Sequence, residues 1–162
     1  LEARVHADEL SWTGGAELAA ELGAASADHL MFCSDDGMKA MAAAGVTPIL
    51  LPGSTLFLGM RDWAPARAMI EAGCRVALAS DFNPGSCPCL DPLLILRLAC
   101  LQLRMTFEEA FTAMTLHAAH SLRRPDLGHL HPGAKAEILL WDLEDPLELV
   151  YWVGEPFRPR TA

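Results

Sequence analysis

No stretch of this sequence runs the roughly 18 apolar residues that a membrane helix needs, because Arg, Asp, Glu or Pro interrupts every hydrophobic run. A membrane span is therefore not expected. Cationic residues are scarce as well: 12 Lys and Arg stand against 21 Asp and Glu, for a formal net charge of −9. The 12 are scattered, whereas phosphate backbones are held by grouped cations, so nucleic acid is excluded as an expected partner. The five cysteines, Cys33, Cys74, Cys87, Cys89 and Cys100, include no C-x-x-C pair. Reduced, half-buried thiols of a cytoplasmic protein are the expectation. Cys87 and Cys89, in "SCPC", have poor chelate spacing and read as loop thiols rather than a metal pair. The first residue is Leu1 and no basic-then-apolar leader follows it, so the chain is expected to be a piece of something longer.

What is present is ample core material. Hydrophobic residues make up 52% of the 162 and charged residues 20%, the balance of a globular domain. Short apolar runs alternate with amphipathic stretches. "ARVHA" (3–7), "SADHLMF" (26–32), "VTPILLPG" (46–53) and "CRVALASD" (74–81) read as strands. "GAELAAELGA" (15–24) and "WAPARAMIEAG" (63–73) read as helices, and "SDDGMKAMAAAG" (34–45) as a helix with Ser34 as its N-cap and Gly45 as its stop. Further helices are expected over 91–103 and 106–120.

Four strand-then-helix units in a row imply an α/β fold with a parallel sheet and helical crossovers. No sequence repeat accompanies the structural one. Four units are half of a (β/α)8 barrel, and half a barrel leaves two open sheet edges. After "SLRRPDLG" the pattern changes to "GAKAEILLWDLEDP" (133–146), a turn and an alternating strand. The expected division is residues 1–124 as a barrel half and 125–162 as a partial β-sandwich strand and tail.

In a barrel of parallel strands the chemistry gathers at the strands' C-terminal ends. Three ionisable residues end predicted strands: His6 in "RVH", His29 in "ADH" and Asp81 in "VALASD". Two imidazoles and a carboxylate suit zinc or ferrous iron. Glu9, three residues beyond His6, can reach the same pocket from the loop. Taken singly, each has a plainer explanation. A lone His at a strand end is more often a hydrogen-bonded core residue, Asp81 could cap the turn made by Asn83, Pro84 and Gly85, and Glu9 could be a solvated loop carboxylate. The plain explanations weaken because three metal-compatible groups fall at the same end of three strands.

The stretches "VHADEL" (5–10), "GGAELAAELGAASADHL" (14–30), "AGVTPILLPG" (44–53), "EAGCRVALASDFNPGS" (71–86) and "PGAKAEILLWD" (132–142) resemble the C-terminal part of the imidazolonepropionase family, in the amidohydrolase superfamily. The resemblance runs from residue 1 to about 150, and the pairing of H-A-D-E with S-D-F-N-P-G is its most specific part. It implies a distorted (β/α)8 barrel of the metal-dependent hydrolase type, of which this chain carries strands five to eight, plus part of a small β-sandwich. It implies hydrolysis of 4-imidazolone-5-propanoate to N-formimino-L-glutamate, a step of histidine degradation, with a metal-activated water as nucleophile. One divalent metal ion, zinc or iron, would be held by His6 and Asp81, and Asp81 would also take the water's proton. His29 would hydrogen-bond the reacting carbonyl or the hydroxide, and Glu9 would contact the substrate ring and pass a proton to the leaving nitrogen. Asn83, Gly85 and Ser86 would hold the propionate side. The complete protein would be a cytoplasmic homo-oligomer, a dimer, acting on a small molecule.

The departures from that family are specific. Its first-strand H-x-H pair, which supplies two more metal ligands, is missing, so the isolated chain is expected to be inactive. The H-x-H spacing of His129 and His131 in "GHLHPG" falls on a surface hairpin and reads as no ligand pair. The usual final strand is missing too, and "GEPFRPRTA" (154–162) reads as a tail. Met38, Met41, Trp63, Met69 and Trp141 read as packing residues, His117 and His120 as structural, and Asp142, Glu144 and Asp145 as a solvated turn. Two alternatives stand: a cytosine-type deaminase of the same superfamily, which shares H-x-x-E and the late Asp but not the N-P-G, and a non-catalytic fragment that completes a barrel with another chain.

Overall fold

The computed structural model describes residues 2–154 and 156–161. Leu1, Glu155 and Ala162, the first residue of the expected barrel half and two residues of the expected tail, lie outside the described residues.

Strands β1 (Arg4–Ala7), β2 (Ser26–His29), β3 (Thr47–Leu50) and β4 (Ala77–Leu78) form one sheet in the order β1-β2-β3-β4. Every pairing is parallel, with His6 opposite Asp28, Ala7 opposite His29, and Leu50 opposite Leu78. Sequential parallel neighbours need helical crossovers, and these are α1 (Gly15–Glu21), α2 (Asp35–Ala44), and the pair α3 (Pro52–Phe57) and α4 (Ala66–Glu71). Helices α5 (Pro92–Leu101), α6 (Phe107–Met114) and α7 (Leu116–Ser121) follow β4. The expected parallel α/β sheet is what forms.

Local chemistry sets most boundaries. Ser34 Oγ accepts the Gly37 amide at 2.8 Å, and Gly45 closes α2 in a left-handed conformation with φ 71°, as the N-cap and stop residues required. Residues 52–53 are not the end of a strand, as expected from the apolar run, but the start of α3, because Pro52 occupies the first helical turn where its missing N–H costs nothing. The single helix expected over 106–120 is two. It breaks at Thr115, whose hydroxyl donates to the Phe111 carbonyl at 2.8 Å, a back-bond that competes with the helix ladder. The backbone of Gly128 lies so close to the Thr115 carbonyl that a Cβ there would sit 2.6 Å from its oxygen.

Helix α6 starts with a capping box: Thr106 Oγ1 accepts the Glu109 amide and Glu109 Oε2 accepts the Thr106 amide. Glu109 Oε1 also receives Arg67 Nη2 of α4 at 2.6 Å. The Arg67 bond first, and the Thr106 amide second, hold the Glu109 carboxyl below its ordinary value against the opposing effect of burial. A carboxylate lowered on folding stabilises the protein above its unfolded-state value and loses that contribution as pH falls. Glu109→Gln is therefore expected to be less stable than wild type at pH 7, with the difference shrinking below about pH 4. Urea unfolding across that range checks it.

The core lies between sheet and helices and includes Met38, Met41, Leu50, Met69, Val76, Leu93, Ile95 and Leu96, with Trp63 and Trp141 packed against it. The packing role expected for the methionines and tryptophans is thus met. Helix α1 approaches β1 closely. A Cβ on Gly15 would lie 2.9 Å from Ala7 Cβ and 3.0 Å from Ala7 Cα. Both atoms belong to a strand that cannot retreat cheaply, so Gly15→Ala is expected to cost about 1–3 kcal/mol by overpacking, read from the shift in urea midpoint.

Beyond α7 the 133–146 strand contracts to β5 (Leu139–Leu140), and a short helix, α8 (Glu148–Tyr151), follows. Arg97 of α5, only 4% exposed, donates its Nε to the Leu149 carbonyl at 2.9 Å, which ties α8 to α5. The expectation that the tail carries no strand is corrected: β6 (Arg160–Thr161) pairs antiparallel with β5. Two residues joined by backbone pairing leave no alternation in the sequence to announce them.

Candidate metal and catalytic centre

The strand ends meet at one edge of the sheet. His6 is the third residue of β1, and His29 is the last of β2. Parallel pairing with Ala7 opposite His29 brings the two loops together. Asp8, His29, Leu30 and Asp81 all have positive φ, at 48°, 74°, 66° and 53°. Non-glycine residues hold that conformation at a cost of about 1–3 kcal/mol, and such strain collects where a chain is forced to turn at a functional site.

His29 is 2% exposed. Its Nε2 lies 3.1 Å from His6 Nδ1, its Nδ1 lies 3.5 Å from Glu9 Oε1, and the two ring centroids are 4.9 Å apart. A pair of ring nitrogens at that distance shares one hydrogen, so one imidazole donates and the other accepts. One potential ligand atom from each of His6, Glu9 and His29 falls within 4.8 Å of the others. Three of the sequence-derived site residues are thus brought together. Burial pushes the His29 pKa down, with the charges of Glu9 and then Asp81 opposing it, so the ring is neutral at pH 7 and able to accept a proton or a ligand.

Asp81 stands apart from that triad. It is half-buried, three residues past β4, and its charge is felt at His29. The plain reading, that Asp81 caps the following turn, does not hold. Asn83 organises that turn: its Nδ2 donates to the Asp81 carbonyl and to Ser86 Oγ, both at 2.9 Å, and its Oδ1 accepts the amides of Gly85 at 2.8 Å and Ser86 at 2.7 Å. The Asn83 and Ser86 side chains are therefore occupied with shaping the loop, and Gly85 is exposed at its bend. The loop rests on α3, where a Cβ at Gly53 would come within 2.9 Å of Cys87 Sγ and 3.4 Å of the Ser80 carbonyl oxygen.

The donor set fits a divalent ion of the zinc or ferrous type. The imidazole of His6 and the carboxylate of Asp81, which has no hydrogen-bond partner among the described residues, are donors of the type such an ion takes, and His29 and Glu9 lie beside His6 within 4.8 Å. The H-x-H spacing of His129 and His131 is spent otherwise. Their rings tilt against one another with centroids 5.1 Å apart, and His129 Nε2 donates to the Pro125 carbonyl at 2.9 Å. His117 Nδ1 donates to the Val76 carbonyl at 2.9 Å, and His120 Nε2 accepts from Arg75 at 2.9 Å, the structural roles expected of them.

Two carboxylates beside the centre escaped the sequence. Asp8 is buried at the entry to α1. Asp28, opposite His6, has a buried Oδ1 without a partner, and burial raises its pKa, opposed by Ser26 and by the charges of His6, Arg4 and His29. The one available signal was alternation: Arg4 and His6 on β1, and Ser26 and Asp28 on β2, share a sheet face.

The model of the amidohydrolase family matches residues 2–161. The imidazolonepropionase of Geobacillus sp. (strain WCH70) is 48% identical over 155 residues, covering 95% of this chain and 36% of its own length. That of Anaeromyxobacter dehalogenans (strain 2CP-C) is 50% identical over 151 residues, covering 93% and 36%. The chain spans little more than a third of the length of these curated relatives. Among solved structures, an adenosine deaminase from Xanthomonas campestris with bound zinc superposes with TM-score 0.80 at 22% identity, over 93% of this chain and 41% of that one. A mutant atrazine chlorohydrolase from Arthrobacter aurescens TC1, complexed with zinc and atraton, gives 0.70 at 26%, over 78% and 32%.

Proposed function

The chain belongs to the amidohydrolase family, and from that premise we propose that it is the C-terminal portion of an imidazolonepropionase, hydrolysing 4-imidazolone-5-propanoate to N-formimino-L-glutamate in histidine degradation. The observation that carries the reading is the convergence of His6, Glu9 and His29, all from the H-A-D-E and A-D-H segments. Residues 2–124 are proposed as barrel strands five to eight with their helices, and the β5–β6 pair as part of a small sandwich. The remaining barrel strands and the H-x-H pair are proposed to come from an N-terminal segment.

His6 and Asp81 are the residues of this chain that would hold the divalent ion, zinc or iron; when bound, it supplies Lewis acidity toward a carbonyl and activation of water. The rest is the work of side chains. Asp81 accepts a proton from the attacking water through a carboxylate oxygen. Neutral, buried His29 hydrogen-bonds the ring carbonyl as charge develops on its oxygen. Water oxygen joins the carbonyl carbon, the ring carbon–nitrogen bond breaks, and the proton that Asp81 took from the water passes through Glu9 to the departing nitrogen. The 83–86 loop, held in shape by Asn83, faces the propionate. The complete protein is proposed to be a cytoplasmic homodimer.

The cytosine-type deaminase reading shares His6 and Glu9 in H-x-x-E spacing, but the N-P-G after Asp81 favours the imidazolone. The two separate on substrate. With an N-terminal segment of the family added, chelation is expected to abolish imidazolone turnover and one equivalent of zinc or iron to restore it. Turnover of cytosine but not imidazolone by the same mixture contradicts the proposal.

A further inference from the structure

Glu9 sits on a loop with little apolar packing to hold it. Leu10 and Trp12 are 71% and 62% exposed, so the apex of the loop is not anchored by core contacts. What closes the loop is Asp8. Its side chain is buried, and Oδ1 accepts Thr13 N at 2.7 Å, Thr13 Oγ1 at 3.0 Å and Gly15 N at 3.2 Å, while Oδ2 accepts Ala16 N at 3.1 Å. The backbone of the same residue is fastened to the neighbouring turn. The Asp8 carbonyl accepts Phe32 N at 2.9 Å, and the Ala7 carbonyl accepts Leu30 N at 3.0 Å. Asp8 therefore joins the turn that carries Glu9 to the turn that follows His29, and it does so in a left-handed backbone conformation, φ 48°. A non-glycine residue keeps that conformation only where its surroundings over-determine it.

We infer that Asp8 is a positioning residue whose four-bond clamp sets the direction in which Glu9 leaves β1, and so the 3.5 Å approach of Glu9 Oε1 to His29 Nδ1. The inference rests on the assignment of Glu9 and His29 to the reaction. All four partners of the clamp are donors, and only an ionised carboxylate presents two oxygens and no hydrogen to them. Asparagine at position 8 would turn an NH2 toward an N–H and break one side of the clamp. A glutamate would have to find room for a further methylene between β1 and the start of α1, where Gly15 already admits no Cβ.

Two readouts test this. In the chain itself, nuclear Overhauser contacts between the Glu9 side chain and the His29 ring are expected in wild type and lost in Asp8→Asn, with core methyl resonances of Leu50 and Ile95 unmoved. In the enzyme completed with its N-terminal segment, Asp8→Asn is expected to lower kcat by roughly 10- to 100-fold, the penalty of misplacing a reacting group by about 1 Å, with KM little changed. Placed on a Glu9→Gln background, Asp8→Asn should lower kcat no further, because it acts through the group already removed. Thr13→Val takes away one donor only and covers the case in which Asp8→Asn does not fold; it should show a smaller loss with the same non-additivity. Persistence of the Glu9–His29 contact in the folded variants, or an equal loss of kcat in both backgrounds, overturns the inference. A wild type that shows the contact yet turns over no imidazolone overturns the proposed function and leaves the contact measurement to decide the role of Asp8.

Discussion

Asp81→Asn, in the enzyme completed by its N-terminal segment, is expected to lower kcat by about 10²- to 10⁴-fold, the usual contribution of a placed proton-transfer group, with the melting temperature little changed. The turn after Asp81 is built by Asn83, which binds the Asp81 carbonyl and the amides of Gly85 and Ser86. No hydrogen bond or ion pair to the Asp81 carboxylate is seen among the described residues, so removing its charge takes nothing from the fold. What it removes is the carboxylate proposed above as metal ligand and proton acceptor. Steady-state kinetics beside a thermal melt separates the two consequences. Loss of turnover that merely tracks loss of folded protein would make Asp81 a structural residue.

Leu50→Ala is expected to destabilise the chain by about 2–5 kcal/mol, the range for truncating a buried leucine where neighbours cannot collapse into the space. Leu50 ends β3 fully buried, lies opposite Leu78, and its carbonyl accepts the Ala79 amide at 3.2 Å. The short β4 depends on that pairing, and Asp81 follows it by three residues. A urea midpoint shifted by the equivalent of less than about 1 kcal/mol, well below the measured range for such sites, would mean that the β3–β4 junction is looser than its burial indicates.

Where a residue's own chemistry decides its conformation, the sequence could be read directly. Ser34 and Gly45 mark α2 because a hydroxyl that caps and a glycine that tolerates positive φ do so in any context. The strands β1 to β3 are visible as apolar runs, His6 and His29 as polar groups at their ends, and Glu9 as a carboxylate in the loop after His6. The elements that escaped depend on distant partners. Thr115 breaks a helix where the Gly128 backbone packs against its carbonyl, 13 residues downstream. The strand β6 exists by pairing with β5, and α8 is tied down by Arg97. Within the centre, Asp8 reads as one more loop carboxylate until residues 13–16 return to it. Asp28 becomes a neighbour of His6 only through the register of β1 with β2. The turn-shaping role of Asn83 is not legible in the sequence, because the turn that engages its amide is closed by Ser86 and Cys87.

The most direct test of the account follows the ultraviolet absorbance of the imidazolone ring, first with this chain alone and then with a purified N-terminal segment carrying the H-x-H pair. No loss of absorbance is expected with the chain alone, and metal-dependent loss is expected in the mixture. A mixture that assembles and binds one equivalent of metal, yet leaves the ring intact, would contradict the assignment of this chain to imidazolone hydrolysis.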